Sequence, residues 1–231
     1  MSTKYFLDTN LLTIADHSIH EWRDLYQDHS MHFLQINDFF KSEAVDCIYK
    51  YLSDEAHFES VYGVRNVEGH SVERGIWEKE LEEERFFFYE QISDLSVGRM
   101  SKNFAFYLKA KSFFASSHWM NFAAMITNLS LQSVTSASVH RMHYEHYLRP
   151  HHDRGGSRRI AFILYLTPNW KKEFGGQLCI TPHNGEPVSI EPVCNSLILF
   201  DVNEHKEHHV QALTPHVKEL ARFTIGGWLN L

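Results

Sequence analysis

Ile160-Ala161-Phe162-Ile163-Leu164-Tyr165-Leu166-Thr167 is a short apolar run closed by the turn pair Pro168-Asn169. It is rich in β-branched and aromatic residues and too short for a stable helix, so it reads as a buried strand. Runs of the same kind surround it: Gln132–Leu148, Gln177–Thr181, Pro187–Ile190, Ser196–Phe200, His209–Leu213 and Arg222–Leu229. Gly155-Gly156, Gly175-Gly176, Asn184-Gly185 and Pro215 punctuate them. Short strands at close, regular intervals predict an antiparallel sandwich or barrel, and a jelly roll is the version that closes around a pocket. Upstream the pattern is mostly helical. Ser42 is placed to cap a helix with Val45, Ile48 and Leu52 on one face, and a second helix starts at Ser117 with Trp119, Phe122, Ala123 and Ile126 inward. A short strand, His32–Ile36, precedes the first helix, and the charged run Glu78–Arg85 reads as a solvated helix face. The expectation is one mainly β domain over residues 1–231. Its double-stranded β-helix (jelly roll, cupin-like) core lies at about 131–231, and its helical flank, about 1–130, packs on one sheet.

The bulk numbers agree with a folded domain. Of 231 residues, 43% are hydrophobic and 14% aromatic, enough to fill a core. Lys plus Arg number 22 against 29 Asp plus Glu, a formal charge of -7, which argues against a general nucleic-acid binder. Cys47, Cys179 and Cys194 are few, odd in number and far apart, so no disulfide framework is implied and a reducing, cytoplasmic setting is expected. Met1–Leu12 lacks the pattern of a signal peptide, and no stretch is apolar for long enough to span a membrane.

Chemistry enters with the histidines, 17 in all. In His151-His152-Asp153, strand alternation puts the first and third side chains on one face and His152 on the other. An imidazole and a carboxylate then reach a common point, and a second imidazole completes the two-His, one-carboxylate facial set of non-haem iron oxygenases. Downstream, an inward His208 shares its face with apolar Val210, whereas an inward His209 would share it with Gln211, so the pattern prefers His208 and keeps His209 as second choice. His205, in the charged stretch Asn203–Glu207, reads as solvated. Arg222 and Thr224 share a strand face, where a guanidinium and a hydroxyl point at one anion.

Taken in order, these motifs resemble a known family. They are His151-x-Asp153, the run Arg158 to Leu166, Trp170, Gly175-Gly176-x-Leu178, His208-x-Val210, Arg222 and Trp228. The set is similar to the 2-oxoglutarate/Fe(II) dioxygenases of the prolyl 4-hydroxylase-like group, and residues 158–170 look closest to the branch of ribosomal-protein prolyl hydroxylases. The resemblance covers about residues 130–231 and is thin before that. It implies His151, Asp153 and His208 as iron ligands, Arg222 paired with the distal carboxylate of 2-oxoglutarate, the Tyr165 hydroxyl on that carboxylate, and Arg158 near the pocket mouth. It implies Fe(II), 2-oxoglutarate and O2 as reactants, ascorbate as reductant, and release of succinate and CO2. Where many relatives carry a cosubstrate Tyr, this chain has Met142, with Tyr144 and Tyr147 nearby. Halogenating relatives lack the carboxylate ligand, and Asp153 therefore points to hydroxylation. A catalytically silent jelly-roll binding module and a zinc hydrolase are the competing classes; the second has no need of Arg222. The substrate is open between an amino acid, another small metabolite, and a prolyl residue in a peptide. Trp77–Tyr89 is a candidate substrate lid in the helical flank.

Overall fold

The computed structural model describes residues 11–12, 16–67, 70–94 and 100–231. Residues 1–10, most of the stretch read for a signal peptide, lie outside the described part. In chain order the elements are α1 (Asp16–Asp28), β1 (Phe33–Ile36), α2 (Ser42–Lys50), β2 (His57–Val64), β3 (Ser71–Val72), α3 (Arg74–Trp77), β4 (Arg85–Asp94), α4 (Lys102–Phe114) and α5 (Ser117–Thr127). Then follow β5 (Ser133–Met142), β6 (Tyr147–His151), β7 (Arg158–Tyr165), β8 (Leu178–Pro182), β9 (Val188–Ile190), β10 (Leu197–Asp201), β11 (His205–Val210) and β12 (Arg222–Asn230).

The strands form one antiparallel sheet in the order β1-β10-β7-β12-β5-β4-β6-β11-β8-β9, with β2 and β3 branching from β4. β4 is the joint. Glu90 and Gln91 pair with β5, while Phe87 and Phe88 pair with β6, so the sheet curls there into the two walls of a jelly roll. Among the described residues no helix is long and apolar enough to cross a membrane.

The helices hold because their ends are satisfied and their apolar faces are buried. Ser101 Oγ accepts from Phe104 N at 2.9 Å to start α4, and Ser116 Oγ accepts from Trp119 N to start α5. α5 ends at Asn128, in the left-handed conformation with φ 57°. Phe113, Phe114, Trp119 and Phe122 from these helices meet Phe39, Phe40 and Phe162 in one aromatic cluster. The Phe114 and Phe162 rings stack 5.0 Å apart, and Trp119 meets Phe162 edge-on at 5.1 Å. Alternation along the central strands is strict. Phe223 and Ile225 of β12 face this cluster, as do Phe162 and Leu164 of β7, while Ala161 and Tyr165 face the inside of the roll.

Three sequence expectations differ from the structure. Ser42 is the first helical residue of α2 rather than its cap; Lys41 holds the cap position with no side-chain bond. The flank contains four strands instead of one, and two of them complete the roll, β1 beside β10 and β4 between β5 and β6. The Glu78–Arg85 run is not an α-helix and holds only a single 3-10 turn at Glu82–Glu84. The Arg85 guanidinium donates to the carbonyls of Trp77, Glu78 and Glu80 and stacks on the Trp77 ring, closing a turn from which β4 departs. The aromatic run Phe86-Phe87-Phe88-Tyr89 then pairs with β2 and β6, a non-local contact that local charge pattern does not reveal.

Candidate metal centre

His151 closes β6, and its cross-strand register partner is His208 of β11. Asp153 follows two residues on, past the strand end. The three side chains converge: one donor atom from each lies within 4.8 Å of the others. His208 Nε2 is 3.3 Å from Asp153 Oδ2, and His151 Nε2 is 3.6 Å from Asp153 Oδ1. His152 is exposed. His209 pairs in register with Cys179 and is not part of the convergence, whereas buried Val210 shares the His208 face as alternation requires.

The hydrogen bonds assign the tautomers. His151 Nδ1 lies 2.9 Å from the Arg149 carbonyl, which can only accept, so Nδ1 carries the proton and Nε2 keeps its lone pair. For His208 the partner is a second imidazole. Its Nδ1 lies 3.0 Å from His205 Nε2, and His205 Nδ1 lies 3.0 Å from the Asp201 carbonyl. A carbonyl at the far end orders the relay: His205 donates to Asp201, His208 Nδ1 donates to His205, and His208 Nε2 is the nitrogen left facing Asp153. His205 is therefore not solvated, as its charged neighbours had implied, but 1% exposed. The cause is a turn in which the Asp201 carboxylate accepts from Asn203 N at 2.9 Å and from Arg159 Nε at 2.7 Å, folding His205 back against Phe200.

Charge follows environment. Burial and the His208 ring push His151 down to about 4, so it is neutral at pH 7. Burial acts to raise the Asp153 carboxyl. The His208 bond, the two imidazoles and an indole N–H from Trp228, 2.8 Å from Oδ2, outweigh it and hold the group below the usual carboxylate range. Two imidazoles and one carboxylate on one side of a point, open on the other, are the donor set that suits Fe(II).

The open side is a cavity of roughly 930 Å³. At its inner end sit Arg222 and Thr224, 3% and 4% exposed. Among the described residues Arg222 Nη1 meets Met142 Sδ, at 3.6 Å, and its Nε has no hydrogen-bond partner. The Tyr165 ring lies 4.9 Å from the guanidinium carbon, and its buried hydroxyl is also unpartnered. A buried guanidinium without a carboxylate is costly, so this recess fits a carboxylate ligand such as the distal end of 2-oxoglutarate. Tyr165 stands against Arg222 and is not among the residues that line the cavity.

Sequence reading missed His140, Gln91 and Tyr89, which line the same end. Gln91 Nε2 donates to His140 Nε2 at 3.0 Å, and the Tyr89 ring lies 4.6 Å from His140. Burial, helped by Arg222 and Lys111, lowers His140 to about 4, so it is a neutral neighbour of the guanidinium. Its signal was available: His140 and Met142 share a face of β5 by alternation. At the other end Arg158 lies 4.0 Å over the Trp228 ring, and Phe86 and Phe87 of the expected lid segment line the cavity from a strand.

Comparison with known proteins agrees with this geometry. Residues 136–230 match the family model described as 2OG-Fe(II) oxygenase superfamily. The chain is 35% identical over 111 residues to prolyl 3-hydroxylase OGFOD1 of Xenopus laevis, covering 46% of this chain and 21% of that protein. It is 29% identical over 164 residues to prolyl 3-hydroxylase sudestada1 of Drosophila melanogaster, covering 66% and 29%. The chain thus spans under a third of the length of these relatives. A Trichoplax adhaerens prolyl hydroxylase, solved with a hypoxia inducible factor peptide fragment, superposes with a TM-score of 0.62 at 18% identity over 94% of both chains. A Pseudomonas putida prolyl-4-hydroxylase superposes with a TM-score of 0.59 at 18% identity over 92% of this chain and 99% of its own. Residues 136–230 are thus similar to the 2OG-Fe(II) oxygenase superfamily, and the chain has the fold of the prolyl hydroxylases on which it superposes.

Proposed function

We propose that this chain is an Fe(II)- and 2-oxoglutarate-dependent dioxygenase that hydroxylates a prolyl residue of a peptide, releasing succinate and CO2. One observation carries the reading: the His151, Asp153 and His208 donors open into the same cavity as a buried, unpaired Arg222. The prolyl target is supported by the relatives, prolyl hydroxylases by name. A zinc hydrolase would have no use for the buried cation.

His151 Nε2, His208 Nε2 and an Asp153 carboxylate oxygen would hold the iron, which supplies the oxygen activation when bound. Arg222 would take the distal carboxylate of 2-oxoglutarate through its fork, and Thr224, on the same face, adds a hydroxyl. Tyr165, braced against the guanidinium, fixes its orientation. His205 and the Arg149 carbonyl keep the imidazole protons on Nδ1, away from the metal. Phe86, Phe87, Ala161 and Leu178 wall the cavity and exclude water from the reacting carbon. Ascorbate would keep the iron reduced, and free Cys47, Cys179 and Cys194 suit a reducing cytoplasm.

Anaerobic addition of Fe(II) and 2-oxoglutarate is expected to give a weak visible charge-transfer band. His151→Ala, Asp153→Ala and His208→Ala should each abolish both the band and succinate release, with His152→Ala mild. Retention of the band by His208→Ala, with loss in His209→Ala, would overturn the ligand assignment.

A further inference from the structure

The chain carries more carboxylates than cations, and it uses the surplus. Arg141 pairs with Glu90, Arg159 with Asp201, Lys102 with Glu43 and Arg74 with Glu78. Four cations lining the cavity are treated differently. Arg65, Arg154, Arg158 and Lys206 come from three chain segments, and among the described residues none forms an ion pair. Three of the four, Arg65, Arg154 and Lys206, are exposed and so mark the mouth, opposite the buried Arg222 end.

The three arginine heads are held in place by neutral groups. Arg65 Nη2 donates to the Pro150 carbonyl at 3.1 Å and lies over the Phe86 ring. Arg154 Nη2 donates to the Lys206 carbonyl at 2.8 Å. Arg158 stacks on Trp228. Each bond orders a side chain and leaves its charge uncompensated. Among the described residues Glu207 is the only carboxylate besides Asp153 that lines the cavity. The result is a positive mouth on a protein of net negative charge.

We infer that the substrate is an acidic peptide segment, its carboxylates flanking the reacting residue and meeting this ring of cations. The inference rests on the oxygenase reading and adds the chemistry on either side of the target. The four heads come from three segments, and the three arginines each have a separate carbonyl or ring partner, so they do not form a single cradle of the Arg222 kind. A distributed field suits a chain bearing several carboxylates better than one small anion. Glu207 at the same rim disfavours a continuous phosphate backbone.

The test is fluorescence anisotropy with fluorescein-labelled peptides of equal length, a central proline flanked by Glu, by Gln or by Lys. The protein is loaded with Mn(II) and 2-oxoglutarate without oxygen. The Glu-flanked peptide should bind tightest and weaken with salt. Arg154→Glu and Lys206→Glu, both at exposed positions, should each weaken it roughly 3–10-fold, leaving the 2-oxoglutarate requirement unchanged. Equal or tighter binding of the Lys-flanked peptide overturns the inference. So does tighter binding of a fluorescein-labelled oligothymidine. So does a charge reversal that raises the 2-oxoglutarate requirement while peptide affinity stays constant, since the cations would then serve cosubstrate entry. Tight binding of the acidic peptide with no hydroxylation under Fe(II) and air supports the mouth assignment and overturns the prolyl-hydroxylase reading instead.

Discussion

β7 and β12 each have two faces, and the two faces do opposite things. Toward the helices, Phe162, Leu164, Phe223 and Ile225 pack against an aromatic cluster that includes Trp119, at 0% exposure. Toward the cavity, the alternate residues include Arg222, Thr224 and Tyr165, where a buried Nε and a buried hydroxyl go unpartnered. The first face is satisfied without a ligand. The second is not, and it holds its groups in place only because the first is rigid. Stability and function are thus separated by the thickness of one sheet, and substitutions on the two sides should move different observables.

Trp119→Ala should cost about 3–5 kcal/mol of folding stability, read by chemical denaturation, because a close-packed indole leaves a cavity behind. Where the variant is folded its 2-oxoglutarate requirement should be that of wild type; a large rise would mean that the faces are coupled. Arg222→Leu should do the reverse. Removing the buried cation from the ligand-free protein should raise stability by about 1–2 kcal/mol, while 2-oxoglutarate affinity falls by about 2–5 kcal/mol, roughly 30-fold to several thousand-fold. Arg222→Lys, charged but without the fork, should fall between. An unchanged requirement in Arg222→Leu would remove the cosubstrate assignment. A smaller effect is expected at His205, on neither face but behind the metal ligand. His205→Phe keeps a ring and deprives His208 Nδ1 of its acceptor, so Co(II) or Fe(II) affinity, read by chelator competition, should drop about 10–100-fold. His205→Gln, whose side-chain carbonyl can accept the same proton, should recover much of it. Equal affinities in both variants would reduce His205 to packing. Tyr165→Phe should be mildest, about 0.5–2 kcal/mol in 2-oxoglutarate affinity with iron binding intact.

How much of this could be read from sequence depended on whether the information was local. The faces of β7 and β12, and with them Arg222, Thr224 and Phe223, follow from a period of two that needs no knowledge of partners. The choice of His208 over His209 rested on the same rule applied to Val210 and Gln211, and the structure brings His208 to Asp153. His205 was misread because five polar or charged residues in a row predict solvent, whereas one Asp201 turn places the ring beneath a ligand. β4 was missed for a similar reason. The Glu-rich approach to Phe86 has helical composition, and only pairing with β2 and β6, distant in sequence, makes Phe86–Tyr89 a strand. Gln91 and Tyr89 sit on that strand, so the inner end of the cavity was lost with it.

Trp228 touches two of these regions at once. Its indole N–H holds the Asp153 carboxylate at 2.8 Å, and its ring carries the Arg158 guanidinium at 4.0 Å. An ion taking the carboxylate and a peptide drawing away the guanidinium would both alter the surroundings of one fluorophore. Loading at the metal and arrival at the mouth should therefore be separately visible as changes in tryptophan emission, without a label, and both should vanish in Trp228→Phe.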